Sequence, residues 1–243
     1  MKSDFFTYQA QTSPNPLAIE ISHAKGSYIY NTDGKKYLDF VAGVSANSLG
    51  HNHPKVSEAI KNQVDKYTHV MVYGEFIQQP QVNLCKLLVS TLPENLSSVY
   101  ITNSGTEATE GALKLAKRVT NRAEIIAAKN SYHGNTQGSM SVSGVEKQNS
   151  AFRPLIHVTK FIEFNNQEEI NKITSKTAGV ILETIQGGAG FIEPKNNYFQ
   201  SNGRLYRWNG SKRKTDVILY QVGLEGRVKR SKLYNVADED EKF

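Results

Sequence analysis

Between residues 98 and 184, short apolar runs rich in β-branched side chains alternate with stretches of helical periodicity. Strands are expected at 98–102, 124–128, 155–164 and 178–184, and helices at 106–119 and near 167–174. Strands that alternate with helices pack as an open parallel sheet, because each parallel crossover needs an element to carry the chain back. In such sheets ligands sit beyond the C-terminal ends of the strands. Three polar or glycine-rich clusters fall there. Ser104-Gly105-Thr106 follows the first strand, Tyr132-His133-Gly134 the second, and Glu183 with Gln186-Gly187-Gly188 the fourth.

The first cluster has two readings. Val99-Tyr100-Ile101-Thr102 ends at small polar residues, and a helical pattern with Leu113, Ala116 and Lys117 on one face starts at once. Free N–H groups at a helix N-terminus, with glycine and hydroxyl side chains beside them, form a cradle for a phosphate. Ser and Thr also cap helices with no ligand involved. Neither generic phosphate motif, Gly-x-x-x-x-Gly-Lys-Ser/Thr nor Gly-x-Gly-x-x-Gly, is present.

Upstream, residues 26–40 read as a hairpin about Asn31-Thr32-Asp33-Gly34. A turn-rich segment, Gly43 to Pro54, leads into a helix over 54–67, and a second helix is expected at 78–91. A hydrophobic content of 38% and a mean hydropathy of −0.48 describe a protein with no membrane span. No export signal begins the chain, and the single Cys85, expected as a buried packing residue, forms no internal disulfide. The expected compartment is therefore the cytoplasm. His51 and His53 alternate in a turn, without metal-ligand spacing, and no metal site is expected.

The net charge of +6 is unevenly placed: residues 201–243 hold ten Lys/Arg and six Asp/Glu, so most of the excess lies in that tail. The tail mixes both signs and carries no recognition motif, so nucleic-acid binding is the weakest functional reading. It also shows no strand–helix alternation. Its one apolar piece is Val217-Ile218-Leu219-Tyr220.

Taken in order, five motifs carry a resemblance. They are Asp33-Gly34-Lys35-Lys36-Tyr37-Leu38-Asp39, Leu49-Gly50-His51-Asn52-His53-Pro54, Asn103-Ser104-Gly105-Thr106-Glu107-Ala108, Tyr132-His133-Gly134, and Glu183 with Gln186-Gly187. From about residue 10 to residue 198 the chain resembles the class III aminotransferases, which include acetylornithine, ornithine and 4-aminobutyrate aminotransferases. The resemblance implies an α/β type I aminotransferase large-domain sheet, here incomplete, with an N-terminal segment of the small domain. It implies three parts: residues 1–75 with the hairpin, active-site turn and helix; residues 76–198 as a partial cofactor-binding domain; and residues 199–243 as an unrelated, poorly ordered basic tail.

The resemblance also assigns roles. Pyridoxal 5′-phosphate is the implied cofactor, with Ser104, Gly105 and Thr106 on its phosphate, Tyr132 stacked on its ring and His133 beside it. Glu183, Asn135 and Tyr73 are the implied substrate or gating residues. Val44 and Ser45 lie in the implied active-site turn. The implied partners are an amino donor, a 2-oxo acid and a second subunit in a homodimer. Asn135 stands where acetylornithine-type enzymes carry an arginine, and a neutral amide does not replace a bidentate guanidinium. Thr184 and Gly188 replace the usual proline and glutamate. The family's later Asp-Glu strand and Schiff-base lysine have no recognised counterpart after Tyr198. Transamination by this chain alone is therefore not expected. The alternative is a non-catalytic fragment that binds pyridoxal phosphate or a partner subunit.

Overall fold

The N-terminal segment builds a small antiparallel sheet. After α1 (Lys2–Tyr8), strands β1 (Ile21–Lys25), β2 (Tyr28–Asn31) and β3 (Lys36–Leu38) pair in the order β1-β2-β3. The expected hairpin is β2–β3; β1 joins it from a segment with no clear strand pattern. Gly34 takes φ +81° in the turn, and the Asn31 Oδ1 accepts the Lys35 N–H at 2.7 Å. Helix α2 (Pro54–Val64) starts at its proline as expected, and stops short of residue 67. His51 acts as a turn tie: its Nε2 lies 2.7 Å from Asp39 Oδ2, and its Nδ1 2.9 Å from Asn47 Nδ2. The Ala42 N–H and the His51 ring hold Asp39 below the usual carboxylate range.

This computed structural model describes residues 1–71, 73–92, 96–195, 198–199 and the backbone of 217–220. The chain divides into two units, residues 1–77 and residues from 78 onward. The second unit begins with α3 (Gln79–Ser90), on which Cys85 is half-buried rather than buried. The expected strand at 98–102 does not form, and Tyr100 is exposed. Among the described residues that segment has no neighbouring strand to receive its N–H and C=O groups, and β-propensity alone does not hold a strand.

Helix α4 (Gly105–Thr120) leads to β4 (Glu124–Ala128), followed by α5 (Gln137–Ser141) and α6 (Glu146–Asn149). Strand β5 (Thr159–Ile162) is shorter than the expected 155–164, and the helix near 167–174 is a 3₁₀ turn, Glu168–Lys172. Strand β6 (Thr177–Leu182) comes next. The tail then departs from expectation: β7 (Val217–Tyr220) pairs in parallel with β6, with Leu182 registered on Tyr220. The edge of β6 is thus covered by a strand drawn from the basic tail. Four apolar residues suffice once a buried strand offers them a ladder.

The sheet runs β5-β4-β6-β7, all parallel. Every residue of β4 and β6 is buried, the signature of a sheet covered on both faces. Ile125 and Ala127 pack with Leu113 and Ala116 of α4 and with Val142. Ile126 and Ala128 face the other way, onto Ile162, Ile170, Val180, Leu182 and Tyr198. At the N-terminal end of the sheet, Glu124 joins three strands, accepting from Thr177 Oγ1 at 2.7 Å and pairing with Lys160 Nζ at 2.7 Å. Burial pushes its carboxyl up, but the Lys160 and Thr177 donors outweigh burial and hold it below its usual range.

The strand order opens a crevice at the other end. From β4 the chain crosses to β5 on one side, and from β6 to β7 on the opposite side. The loops leaving the C-terminal ends of these two neighbours therefore part, and a ligand site belongs between them.

Candidate functional site

Three chain segments meet at that end. The first is the start of α4. Ser104 is its N-cap, with φ −150° and its Oγ accepting the Glu107 N–H at 3.2 Å. Glu107 accepts in return from the Asn103 N–H at 2.8 Å. Ser104 is thus a cap, one of the two readings open from sequence. The cap satisfies Glu107 N–H and leaves the Gly105 and Thr106 N–H groups at the positive end of a sixteen-residue helix.

The second segment is the loop after β4. Gly134 has φ +124°, and a Cβ there would stand 2.6 Å from Thr106 Cβ and 2.7 Å from Ser139 Oγ. The loop can lie against α4 only because this residue is glycine. His133, expected beside the cofactor, is fully buried beneath the loop. Its N–H donates to Ser143 Oγ at 2.9 Å and its carbonyl accepts from Thr109 Oγ1 at 3.1 Å. Tyr132 keeps 46% of its surface exposed, as a ring available to a planar ligand requires. Asn135 is exposed at the loop's tip.

The third segment follows β6. Glu183 Oε2 accepts the Tyr132 N–H at 3.1 Å, and its Oε1 accepts the Gly187 N–H at 3.4 Å. Burial pushes the Glu183 carboxyl up, and the two N–H donors only partly offset it. Gln186 is buried, and its Nε2 donates to the Lys129 carbonyl at 2.8 Å, tying this loop to the one after β4. The Lys129 ammonium pairs with Glu163, and that hydrogen-bonded charge raises its pKa.

Ser104, Gly105, Thr106, Tyr132, His133, Asn135 and Glu183 therefore all belong to these three segments. Tyr73 lies in the other unit, exposed, in the turn Tyr73–Glu75. Three polar residues escaped the sequence reading: Glu110, Thr136 and Ser139. Thr106 Oγ1 lies 2.8 Å from Thr136 Oγ1 and 2.6 Å from Ser139 Oγ, and Glu110 holds both of those residues. Two signals were available: Glu110 stands one helical turn beyond Thr106, and Thr136-x-x-Ser139 has capping spacing. A cleft of about 550 Å³ walled by Met140, Leu155, Ile156 and Phe161 includes none of the expected site residues. Among the described residues no cluster of His, Cys, Asp or Glu could hold a metal, and no helix is long and apolar enough to cross a membrane.

Comparison with known proteins gives these segments a context. The family model described as "Aminotransferase class-III" matches residues 8–210, past Tyr198 where the sequence reading ended the resemblance. The acetylornithine aminotransferase of Methanothermobacter thermautotrophicus is 36% identical over 219 residues, covering 90% of this chain and 55% of that protein. A [LysW]-aminoadipate semialdehyde/glutamate semialdehyde transaminase of Sulfolobus acidocaldarius is 34% identical over 218 residues, 90% of this chain and 56% of that one. Among solved structures, the adenosylmethionine-8-amino-7-oxononanoate aminotransferase of Methanocaldococcus jannaschii superposes with a TM-score of 0.79 at 28% identity. That match covers 91% of this chain and 54% of the other. The chain spans about half the length of the relatives it matches.

Proposed function

The chain belongs to the class III aminotransferase family, and from that premise we propose that it carries the phosphate-holding and ring-holding part of a pyridoxal 5′-phosphate transaminase site. The observation that carries this reading is the meeting of three segments at the switch point of the sheet: the capped start of α4, the Tyr132 loop and the Glu183 loop.

The residues present fit the cofactor. The N–H groups of Gly105 and Thr106 and the Thr106 hydroxyl supply donors for the phosphate, backed by the helix dipole, about half a unit of positive charge. The close seat of Gly134 on Thr106 keeps a side chain out of that cradle. Tyr132 offers a flat, half-open ring for the pyridine. Glu183 fixes that ring's backbone through the Tyr132 N–H and has lone pairs left for a cation on the substrate side. When bound, the cofactor serves as the electron sink for moving an amino group from an amine or amino acid to a 2-oxo acid. Asn135, exposed at the loop tip, gives no guanidinium for a donor carboxylate. The donor accordingly differs from acetylornithine or is gripped elsewhere.

None of the site residues that the three segments bring together is a lysine. Lys129, which leads into the Tyr132 loop, is ion-paired with Glu163, which raises its pKa and so disfavours the free amine that a nucleophile needs. In the tail, Lys212, Lys214, Lys229 and Lys232 lie in basic runs. Binding without turnover is the reading for this chain by itself. Borohydride reduction in the presence of the cofactor, followed by intact-mass and peptide analysis, tests it. The expected result is scattered substoichiometric labelling; a stoichiometric adduct on one lysine overturns the claim that catalysis is absent.

A further inference from the structure

Glu110 touches none of the donors expected to meet the cofactor, yet it organises them. Its Oε1 accepts from Thr136 Oγ1 at 2.5 Å, from the Gly138 N–H at 2.8 Å and from the Ser139 N–H at 3.1 Å. The absence of a side chain at Gly138 leaves room for this carboxylate, since a Cβ there would lie 2.7 Å from the Glu110 Cδ and push it aside. Thr136 and Ser139, held in this way, both reach Thr106 Oγ1, at 2.8 and 2.6 Å. The Thr136 N–H also points at Thr106 Oγ1, at 3.4 Å.

Counting protons gives the arrangement a direction. Thr136 has one hydroxyl proton, and it is donated to the Glu110 Oε1 at 2.5 Å, the oxygen that also accepts the Gly138 and Ser139 N–H groups. Thr136 Oγ1 is then left to accept. The Thr136 N–H is shared, nearer to Ser139 Oγ at 3.0 Å than to Thr106 Oγ1 at 3.4 Å. Ser139 Oγ, accepting there, has its hydroxyl proton to donate to Thr106 Oγ1 at 2.6 Å, so the Thr106 proton remains to be given. An anionic oxygen at the start of α4 is a stronger acceptor than the neutral Thr136 hydroxyl. The geometry points to Glu110 as a positioning residue: it locks Thr136 and Ser139 so that Thr106 presents its O–H to a phosphate. This rests on the cofactor reading above and adds to it a residue that acts only through Thr106.

The test uses pyridoxamine 5′-phosphate and pyridoxamine, neither of which has an aldehyde to label lysines. The affinity of the full chain for each is measured by calorimetric titration, and the ratio reads the phosphate contribution. Glu110→Ala lowers affinity for the phosphorylated ligand about tenfold, the worth of one or two hydrogen bonds, and leaves pyridoxamine binding unchanged. Glu110→Gln stays within about threefold of wild type, because all three donors converge on a single acceptor oxygen that the amide retains. Thr136→Val, which cuts the link while leaving Glu110 on the Gly138 and Ser139 N–H groups, reproduces the alanine effect. Equal losses for both ligands, a Glu110→Ala chain with wild-type affinities, or tighter phosphate binding in that variant overturns the proposal. A wild-type chain that binds both ligands equally instead refutes the cofactor reading itself, so the two failures are told apart.

Discussion

Replacing Gly134 by alanine attacks the contact on which the site depends. The backbone there has φ +124°, and the added methyl would sit 2.6 Å from Thr106 Cβ and 2.7 Å from Ser139 Oγ. The left-handed backbone adds about 1–2 kcal/mol for a residue with a Cβ. Forcing a methyl into filled space adds about 1–3 kcal/mol more. A loss of about 2–5 kcal/mol follows from these two terms. With a urea m-value near 2 kcal/mol/M, the midpoint falls by about 1 M or more. Far-UV circular dichroism in a urea series measures it. Gly187→Ala is the control, because a Cβ at Gly187 meets nothing within 4 Å and φ is not positive there. An unchanged midpoint for Gly134→Ala, or equal falls for the two variants, would refute the reasoning that this glycine seats the loop on α4.

Three further outcomes are expected. Ile126→Ala empties a fully buried position in the sheet and lowers unfolding free energy by about 2–5 kcal/mol, read by the same urea series. Ser104→Ala removes the cap on the Glu107 N–H and costs about 1 kcal/mol, with faster amide exchange confined to the first turn of α4. Glu183 has its folded pKa raised by burial, so the native state binds its proton more readily than the unfolded chain. Wild type therefore gains stability relative to Glu183→Gln as pH falls from the raised value toward the ordinary carboxylate value. Urea midpoints at several pH values check it, and a gain in the opposite direction defeats the assignment.

How far the fold can be read from sequence depends on the reach of the interactions. Strand β4 has the bounds expected of it. Its five residues are buried on both faces and flanked by Asn121 and Asn130 in left-handed conformations, so composition and boundaries agree. Helix α4 is legible for the same reason, with Ser104 and Glu107 marking its start. Residues 98–102 mislead because their β-branched run has no partner strand among the described residues. Strand β7 hides in a basic tail, and only the edge of β6 turns its four apolar residues into a strand. The Tyr132 and Glu183 loops were visible as clusters at strand ends, but the hydrogen bond between them spans 51 residues and leaves no local pattern. The Glu110–Thr136–Thr106 network is silent for the same reason, since its links join residues 26 and 30 apart.

The central claim is that the start of α4 holds the phosphate of pyridoxal 5′-phosphate through Thr106. Calorimetric titration of wild type and Thr106→Val with pyridoxamine 5′-phosphate and with pyridoxamine tests it most directly, since valine keeps the branched shape and removes the hydroxyl. The account predicts that wild type prefers the phosphorylated ligand and that Thr106→Val loses about tenfold of that preference, as for one charge-assisted hydrogen bond. Equal binding of the two ligands by wild type, or an undiminished preference in Thr106→Val, would contradict it.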